Sequence, residues 1–302
     1  MRKIIIGQNE ITVKDYHCSL WGEEQYILQD EPKLWLYVNM TNACQASCPF
    51  CVNPSWGMPS NNPFDIEQYK KTLQGVLHRI RGISFTGGEP LLDLDLMRKV
   101  LKSTAELVDE NIELDLVTNG IHLEDFCNCQ EALYLTSIHI SRHSVDDSIN
   151  AQIQHWNAPS KEQLKRIVSK YKDPYAFVFN CVLQKCAVND AGAVAEYLEM
   201  AGEIGIKNTS FIGMMNCSDY WNSQYISPAS LHLEKDPRFR IWNHYHDKEY
   251  CSCSTGDYES RHGYTKFYYR WPGKPCPNYC RQLVYTADNK LLAGFGGEKI
   301  VL

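Results

Sequence analysis

The sequence lacks long hydrophobic runs, and it lacks a strong excess of charge of either sign. No apolar segment approaches the length of a membrane span, so we expect no membrane partner. The formal net charge is −6 over 302 residues. Nucleic-acid binding needs clustered basic charge, so no nucleic-acid partner is expected either. Internal repeats and low-complexity linkers are also absent.

We also expect no export signal, because the opening Met-Arg-Lys-Ile-Ile-Ile-Gly is too short and becomes polar too soon for a signal peptide. The chain nevertheless contains 13 cysteines. Disulfide frameworks belong to small secreted chains, whereas this chain is large and its cysteine count is odd. Thiols kept reduced for metal binding are the better interpretation, and we expect a cytoplasmic protein.

From residue 34 onward, apolar or β-branched runs alternate with segments of helical periodicity. Strands that alternate with helices pair in parallel through right-handed crossovers. The predicted fold class is therefore α/β, with a partial (β/α)6 TIM-like barrel whose functional side chains gather at the carboxyl ends of the strands. The candidate strands are 34–39, 82–86, 112–118, 137–141, 175–183 and 208–214; the candidate helices are 65–80, 93–109, 123–132, 160–171 and 190–204.

The predicted organisation has three parts. Residues 1–33 form an N-terminal β-hairpin extension, residues 34–216 the barrel, and residues 217–302 a small irregular α+β domain that binds metal. The last part is rich in aromatic residues and poor in helical periodicity, so something other than a broad helical core is expected to organise it. Its turn Thr-Ala-Asp-Asn at 286–289 predicts a hairpin.

Three cysteines, Cys44, Cys48 and Cys51, follow the first strand of the predicted barrel. Cluster sites usually supply four cysteines, whereas three thiolates hold only three corners of a [4Fe–4S] cluster and leave one iron open. An open iron can bind a small chelating molecule. The alternative is a zinc knuckle or a reduced cysteine cluster, because short cysteine spacings also occur at zinc sites.

The C-x3-C-x2-C spacing, with Phe50 before the last cysteine, resembles the radical S-adenosylmethionine (SAM) superfamily. The resemblance implies that SAM chelates the open iron. An electron from the cluster, supplied by an external donor of the flavodoxin or ferredoxin type, would then cleave SAM to a 5′-deoxyadenosyl radical that abstracts a substrate hydrogen.

The same resemblance assigns SAM contacts to particular residues. The stretch Gly87, Gly88, Glu89 and Pro90 would meet the methionine amino group. Independently of the resemblance, paired glycines allow close backbone approach, and a carboxylate can accept a hydrogen bond from an ammonium group.

Further SAM contacts are implied at later strand ends, where polar residues surround the carboxylate and ribose. A capped strand end or a solvated turn is the alternative for four of them, and an asparagine within an apolar strand needs a partner in either case. The five residues are Thr118, Asn119, Ser141, Arg142 and Asn180.

The C-terminal cysteines resemble the auxiliary-cluster region of the branch that includes the GTP cyclase of molybdopterin synthesis. Cys251, Cys253, Cys276 and Cys280 would hold a second [4Fe–4S] cluster. A structural zinc site with the same four ligands is the alternative. The six other cysteines are expected to behave as buried small hydrophobic residues; they are Cys18, Cys127, Cys129, Cys181, Cys186 and Cys217.

The sequence differs from the cyclase at positions that bear on whether GTP could be its substrate. The arginines of the cyclase that contact GTP correspond to Tyr37, Gln282 and Val284 here, and a further cysteine corresponds to Gly294. Because a triphosphate needs cationic partners, GTP is not expected. We predict a radical SAM enzyme that modifies a peptide. The alternatives are a small-molecule substrate, such as a nucleoside or sugar, and a non-catalytic iron–sulfur or zinc protein.

Overall fold

The computed structural model describes residues 1–13, 16–18, 26–28, 30–53, 63–171, 176–244, 254–270 and 280–302. Three of the predicted auxiliary ligands, Cys251, Cys253 and Cys276, lie outside the described residues. In the described parts of the chain, no helix is long and apolar enough to cross a bilayer.

The strands of the described residues are β1 (Arg2–Ile6), β2 (Asn9–Val13), β3 (Tyr16–Cys18), β4 (Tyr26–Leu28), β5 (Leu34–Asn39), β6 (Ile80–Thr86), β7 (Glu113–Thr118), β8 (Ser137–Ser141), β9 (Ala176–Leu183), β10 (Asn208–Gly213), β11 (Phe239–His244), β12 (Ser254–Ser260), β13 (Gly263–Arg270), β14 (Gln282–Tyr285) and β15 (Leu291–Leu292). The α-helices are α1 (Ile66–Val76), α2 (Leu94–Ala105), α3 (Leu123–Cys127), α4 (Asp147–Gln154), α5 (Lys161–Tyr171), α6 (Ala191–Ile204) and α7 (Tyr220–Gln224).

An 11-stranded sheet forms the centre of the fold, in the order β11-β12-β13-β10-β9-β8-β7-β6-β5-β14-β15. Every pair from β13 across to β14 is parallel. The six strands β5 to β10 are separated along the chain by helices. The predicted α/β class and the partial (β/α)6 barrel are confirmed.

Strands from the C-terminal part extend both edges of this sheet. β13 pairs in parallel with β10, and β14 pairs in parallel with β5. The predicted hairpin at 286–289 is confirmed, since β14 and β15 pair antiparallel with Tyr285 opposite Leu291. The N-terminal hairpin is also present as β1 and β2. The division of the chain into three domains stays a prediction.

Two helical segments of the barrel differ from the prediction, and the short α7 after it was not predicted. The helix expected over 123–132 ends at Cys127 and is followed by a 3-10 turn, Gln130–Tyr134. Helix α4 was not predicted at all. It starts where the Asp146 carboxylate accepts from the backbone N–H of Ser148 and Ile149, at 2.7 and 3.0 Å. Its buried face includes two amides and therefore lacks an apolar stripe.

The two faces of the central strands differ in polarity, because successive side chains point to opposite sides of a sheet. The face toward the helices is apolar and belongs to one continuous core. Its members include Ile83, Phe85, Leu114, Leu116, Ile138, Ile140, Phe179 and Phe211. The opposite, inner face carries polar side chains, and the loops at the carboxyl ends of these strands hold the candidate site.

Candidate active site

The three cysteines of the motif lie on the loop that follows β5, here called the cysteine loop (residues 40–53). Burial, together with the neighbouring Cys51 and Cys44, raises the pKa of Cys48 to about 12. The thiols are thus close enough to interact. Among the described residues, no three His, Cys, Asp or Glu side chains form a preformed metal-ion site.

The end of β6 fastens the start of the cysteine loop. Gly88 N–H donates to Thr41 O at 2.6 Å, and Glu89 N–H donates to Ala43 O at 2.9 Å. A Cβ on Gly87, whose φ is +126°, would lie 2.5 Å from Thr41 O, and one on Gly88 would lie 2.1 Å from Ala43 O. Both glycines are therefore required by the passage of the cysteine loop itself, a reason that the sequence did not reveal.

Glu89 is 1% exposed and joins the ends of β6 and β7. Its Oε1 accepts from Thr118 Oγ1 at 2.6 Å and from Leu91 N at 2.9 Å, and its Oε2 accepts from Asn119 N at 2.7 Å. Burial raises its pKa to about 7 despite these three hydrogen bonds, which lower it. Pro90 begins the 3-10 turn that Glu89 caps.

Asn119 connects the end of β7 to the cysteine loop. Its Oδ1 accepts from Gln45 Nε2 at 2.9 Å and from Ile121 N at 3.1 Å, while its Nδ2 lies 3.7 Å from Cys44 Sγ in donating geometry. Thr118, which bonds Glu89, also accepts from Gly120 N at 3.0 Å. Of the two predicted residues, Asn119 therefore lies beside the motif cysteine Cys44, and Thr118 contacts Glu89.

The unpredicted helix α4 holds the middle of the cysteine loop. Ser47 N–H donates to Gln154 O at 3.0 Å, and Ser47 Oγ lies 3.3 Å from His155 Nδ1. The Gln154 amide in turn donates to Ser141 O at 3.0 Å. Sequence reasoning missed this contact because helix α4 has a polar buried face.

The segment after β10 holds the last part of the cysteine loop. Ser218 Oγ donates to Pro49 O at 2.7 Å, and Cys217 Sγ lies 3.5 Å from Phe50 O in donating geometry. Burial raises the pKa of Cys51, and the nearby Cys217 thiol contributes to that rise. Contacts from β6, β7, α4 and this segment thus fix the loop along its whole length.

His143 packs against the same part of the cysteine loop. Its ring contacts Phe50 edge to face, with centroids 4.8 Å apart. Its Nδ1 is 3.1 Å from Val182 N, which donates to it. Burial, and secondarily the charge of Arg142, lowers the pKa of His143 to about 3. The imidazole is neutral at physiological pH, a property that the sequence motif alone did not indicate.

Arg142 is 1% exposed, and its guanidinium contacts chain segments that follow β8. It donates to Asp147 Oδ1 at 2.6 Å, Val145 O at 3.3 Å and Pro159 O at 3.4 Å. These contacts connect β8 to α4 and to the segment before α5. The structure gives Arg142 a bracing position in the fold; its predicted contact with SAM stays a prediction.

Ser141 and Asn180 stand opposite each other on β8 and β9. Ser141 ends β8 and is half-buried. Asn180 is also half-buried, and its Oδ1 lies 3.5 Å from His139 Nδ1. Both belong to the inner face of the sheet, so the structure places them together at its open end.

The remaining cysteines divide into two groups. Cys127 and Cys181 are buried, as expected of small hydrophobic residues. That expectation is wrong for Cys186, which is exposed and whose Sγ lies 3.6 Å from Tyr220 OH. It is also wrong for Cys129 and Cys217, which are only partly buried; the Cys217 thiol contacts the cysteine loop. For Cys186 and Cys217 the reason is tertiary placement beyond the ends of β9 and β10, which sequence position does not reveal.

Cys280 is the described member of the predicted auxiliary set. It is buried, its Sγ lies 3.1 Å from Gln282 O, and its backbone N–H donates to Thr12 O at 2.7 Å. Burial raises its pKa to about 12. The assignment of Cys280 as a metal ligand stays a prediction.

The residues present fit an iron–sulfur cluster with one open iron. Three soft thiol donors lie on one braced loop, and soft thiolates suit such clusters. A buried carboxylate at Glu89 and a neutral amide at Asn119 lie beside them. This donor set fits both a cluster and a ligand that carries an ammonium group.

A family model described as the Radical SAM superfamily matches residues 38–217. GTP 3′,8-cyclase from Rhodococcus opacus (strain B4) is 31% identical over 116 residues, which are 37% of this chain and 32% of the cyclase. The chain thus spans about a third of the length of that curated relative.

Two solved structures are similar to part of this chain. The structure of Streptococcus suis SuiB bound to precursor peptide SuiA has a TM-score of 0.48 and 16% identity, covering 63% of this chain and 40% of SuiB. Coproporphyrinogen III oxidase (HemN) from Escherichia coli has a TM-score of 0.45 and 12% identity, covering 66% of this chain and 50% of that enzyme.

Proposed function

The chain belongs to the radical SAM superfamily, a family of enzymes, and from this premise we propose that it cleaves SAM reductively and abstracts a hydrogen atom from its substrate. The observation that supports this most directly is the fastening of the cysteine loop against Gly88 and Glu89. It brings the two motifs of the family into direct backbone contact.

Cys44, Cys48 and Cys51 are the residues that would hold the [4Fe–4S] cluster. When bound, the cluster supplies the electron that splits SAM into methionine and a 5′-deoxyadenosyl radical. The polypeptide contributes orientation and the exclusion of side reactions. The hydrogen bonds to Ser47 and Pro49 keep the three thiols on one rigid loop.

Glu89 and Asn119 would orient the methionine end of SAM. An ionised carboxylate has about four acceptor positions, and the three hydrogen bonds to Glu89 leave one for an ammonium group. Asn180 and Ser141, opposite each other on the next strands, are proposed to face the ribose.

We propose that the substrate is a peptide, as the sequence predicts. A small molecule is the second candidate. A triphosphate is disfavoured by the residues at the positions of the cyclase arginines. Tyr37 packs edge-on against Phe295, with ring centroids 5.2 Å apart, and Val284 is buried. Neither can supply the cationic partners that a triphosphate needs.

Anaerobic reconstitution, reduction and addition of SAM test the activity. We expect release of 5′-deoxyadenosine from the wild-type protein and its loss in Cys44→Ala, Cys48→Ala and Cys51→Ala. Cys129→Ala is the matched control, because that thiol contacts Asp125 O on α3 and not the cysteine loop. A fully loaded, reducible cluster without 5′-deoxyadenosine release would instead support a non-catalytic iron–sulfur protein.

We also propose a second metal centre that includes Cys280, with the other three predicted cysteines as its partners. Iron and zinc analysis distinguishes the two forms of this centre. A second cluster predicts about eight iron atoms per chain, falling to about four in Cys280→Ala. About four iron atoms together with one zinc would favour the structural zinc site.

A further inference from the structure

The side chain of Asn180 is held at one end by a histidine. Its backbone is fixed within β9, where Arg142 N–H donates to Asn180 O at 3.0 Å. Its side-chain Oδ1 lies 3.5 Å from His139 Nδ1 on the neighbouring strand β8. A primary amide has an acceptor oxygen at one end and an NH2 group with two donors at the other. A contact on Oδ1 therefore directs the Asn180 NH2 group toward a different partner.

His139 is fixed in turn by two further side chains of the inner face. Ser137 lies two residues earlier on the same face of β8, and its Oγ is 2.9 Å from His139 Nε2. The same Oγ is 2.6 Å from Asp115 Oδ1 on β7, where the register places Asp115 opposite Ser137. Asp115 Oδ2 is 3.8 Å from His139 Nε2 as an ion pair, with the two side chains 15% and 14% exposed. The imidazole thus stands at the centre of a network that runs from β7 to β9.

The donors and acceptors of this network determine where its protons lie. An ionised carboxylate only accepts, so the single Ser137 hydroxyl proton is donated to Asp115. Ser137 Oγ then accepts from His139 Nε2–H. Because His139 Nδ1 faces the Asn180 oxygen, this nitrogen carries a proton as well, and the ring is an imidazolium paired with Asp115. A charged donor strengthens a hydrogen bond. The imidazolium therefore favours the Asn180 oxygen over the Asn180 NH2 group as its neighbour.

Strand register places this network beneath the strand ends. Asn180 lies opposite Ser141 on one side and Ser210 on the other. His139 comes two residues before Ser141 on β8, which is roughly 7 Å deeper at about 3.3 Å per residue. Asp115, opposite Ser137, lies deeper again. The imidazole can therefore act on a ligand at the strand ends by orienting Asn180, without contacting that ligand itself.

We propose that His139 is a positioning residue for SAM, which holds Oδ1 of Asn180 and so turns the Asn180 NH2 group toward the ribose. The inference rests on the proposed function, in which Asn180 faces the ribose. Ribose oxygens accept from an NH2 group, whereas the ribose ring oxygen repels an amide oxygen. An amide that is already oriented loses less conformational freedom when SAM binds, and this preorganisation strengthens binding.

Isothermal titration calorimetry on the anaerobic, cluster-loaded protein tests the proposal in the oxidised state, where SAM binds but no electron is available to cleave it. His139→Leu removes the imidazolium and should weaken SAM binding about tenfold, a difference of ~1.4 kcal/mol. L-methionine lacks the ribose, so wild type and variant should bind it equally. An equal loss of affinity for both ligands would show a general disturbance of the site and would overturn the proposal.

A conservative variant and a control variant sharpen this test. His139→Asn keeps an NH2 donor near the position of Nδ1 and should restore most of the SAM affinity lost in His139→Leu. Affinity as low as that of His139→Leu would count against the proposal. His78→Leu is the same change on an exposed residue of the 3-10 turn before β6 and should leave SAM affinity unchanged.

Asn180→Ala decides whether His139 acts through Asn180. This variant should weaken SAM binding, and His139→Leu added to it should have no further effect, because residues that act as a unit are not additive. Equal losses from His139→Leu with and without Asn180 would overturn the proposal, as would wild-type SAM affinity in either single variant. Release of 5′-deoxyadenosine under reducing conditions reports on the proposed function separately, so the two can fail independently.

Discussion

Gly88 and Ala43 approach each other so closely that a Cβ on residue 88 would lie 2.1 Å from the Ala43 carbonyl oxygen. The contact is between two backbones, so no side-chain rotation can relieve it. Since Ala43 directly precedes the first motif cysteine, the position of the cysteine loop depends on a glycine that lies 45 residues later in the chain.

Gly88→Ala should therefore displace the cysteine loop and reduce iron incorporation severely. Gly192→Ala is the matched control, because this exposed glycine lies in the first turn of α6 and its Cβ would meet only the Asp190 side chain, at 3.1 Å. Because this site is remote from the cysteine loop, Gly192→Ala should leave iron incorporation at the wild-type level. Iron content after anaerobic reconstitution measures both effects, and normal iron loading in Gly88→Ala would contradict the expectation.

Glu89 should make stability depend on pH. Burial raises its pKa to about 7 from an ordinary value of 4.5. The folded state therefore holds more protons than the unfolded state between these values, and the free energy of unfolding falls as pH rises through that window. The full shift corresponds to at most about 3 kcal/mol.

Glu89→Gln should remove this part of the pH dependence. It should also lower the free energy of unfolding by about 1–3 kcal/mol at every pH. The amide NH2 group of the new side chain would then face the Asn119 N–H, which now donates to the carboxylate. Urea unfolding of the cluster-free protein at pH 5 and pH 7.5 measures both the pH dependence of stability and the loss of stability in the variant. Parallel pH profiles for wild type and variant would show that Glu89 does not titrate in this window.

Asn119 should tune the reduction potential of the cluster, because its Nδ2 donates toward Cys44 Sγ at 3.7 Å. Hydrogen bonds to the sulfurs are one determinant of cluster potential. Asn119→Asp keeps the oxygen that accepts from Gln45 but replaces the donor by a negative charge. The midpoint potential should become more negative by at least about 40 mV, equivalent to ~1 kcal/mol for one electron.

Potentiometric titration followed by electron paramagnetic resonance measures this shift. Asn111→Asp, an equal charge change in an exposed turn, is the control and should leave the potential unchanged. An unaltered potential in Asn119→Asp would show that the amide does not act on the cluster.

Metal uptake should depend on pH through the thiols of the cysteine loop. Burial raises the pKa of Cys48 to about 12, and those of Cys44 and Cys51 are raised as well. Thiolates are the ligands, so each bond formed near neutral pH releases a proton. Affinity for Co²⁺, followed by its thiolate absorption, should rise between pH 7 and pH 9 by up to about tenfold per pH unit for each proton released.

The cobalt signal itself needs a control for the other thiols. Cys129→Ala should leave both the amplitude and the pH dependence unchanged, since Cys129 is remote from the cysteine loop. Affinity that does not vary with pH would show that the loop thiols are already ionised in the metal-free protein.

Much of the fold could be predicted because local pattern determines it. The alternation of apolar runs and helical periods placed all six barrel strands, with β5 and β8 predicted at their observed ends. Helix α4 could not be predicted, since its buried Asn150 and Gln154 side chains are hydrogen-bonded to the backbone of His143 and Ser141 and do not form an apolar stripe.

The candidate site divides in the same way. The motif cysteines and the Gly-Gly-Glu-Pro stretch are contiguous in the chain, so spacing alone was sufficient to identify them. The contacts of Ser218 with Pro49 and of Cys217 with Phe50 join residues more than 160 positions apart. No local signal marks such partners, because parallel strands bring distant loops to one edge of the sheet.

By itself the sequence determined the chemistry that is available: three thiols on one loop, a glycine pair with a carboxylate, and strands that alternate with helices. Only the tertiary structure decided how those groups are used. Backbone contact made both glycines necessary for the cysteine loop, burial gave Glu89 its raised pKa, and strand register aligned Asp115, Ser137 and His139 on one inner face. The reason is physical: burial, electrostatic coupling and close approach depend on distances in space, which chain order does not specify.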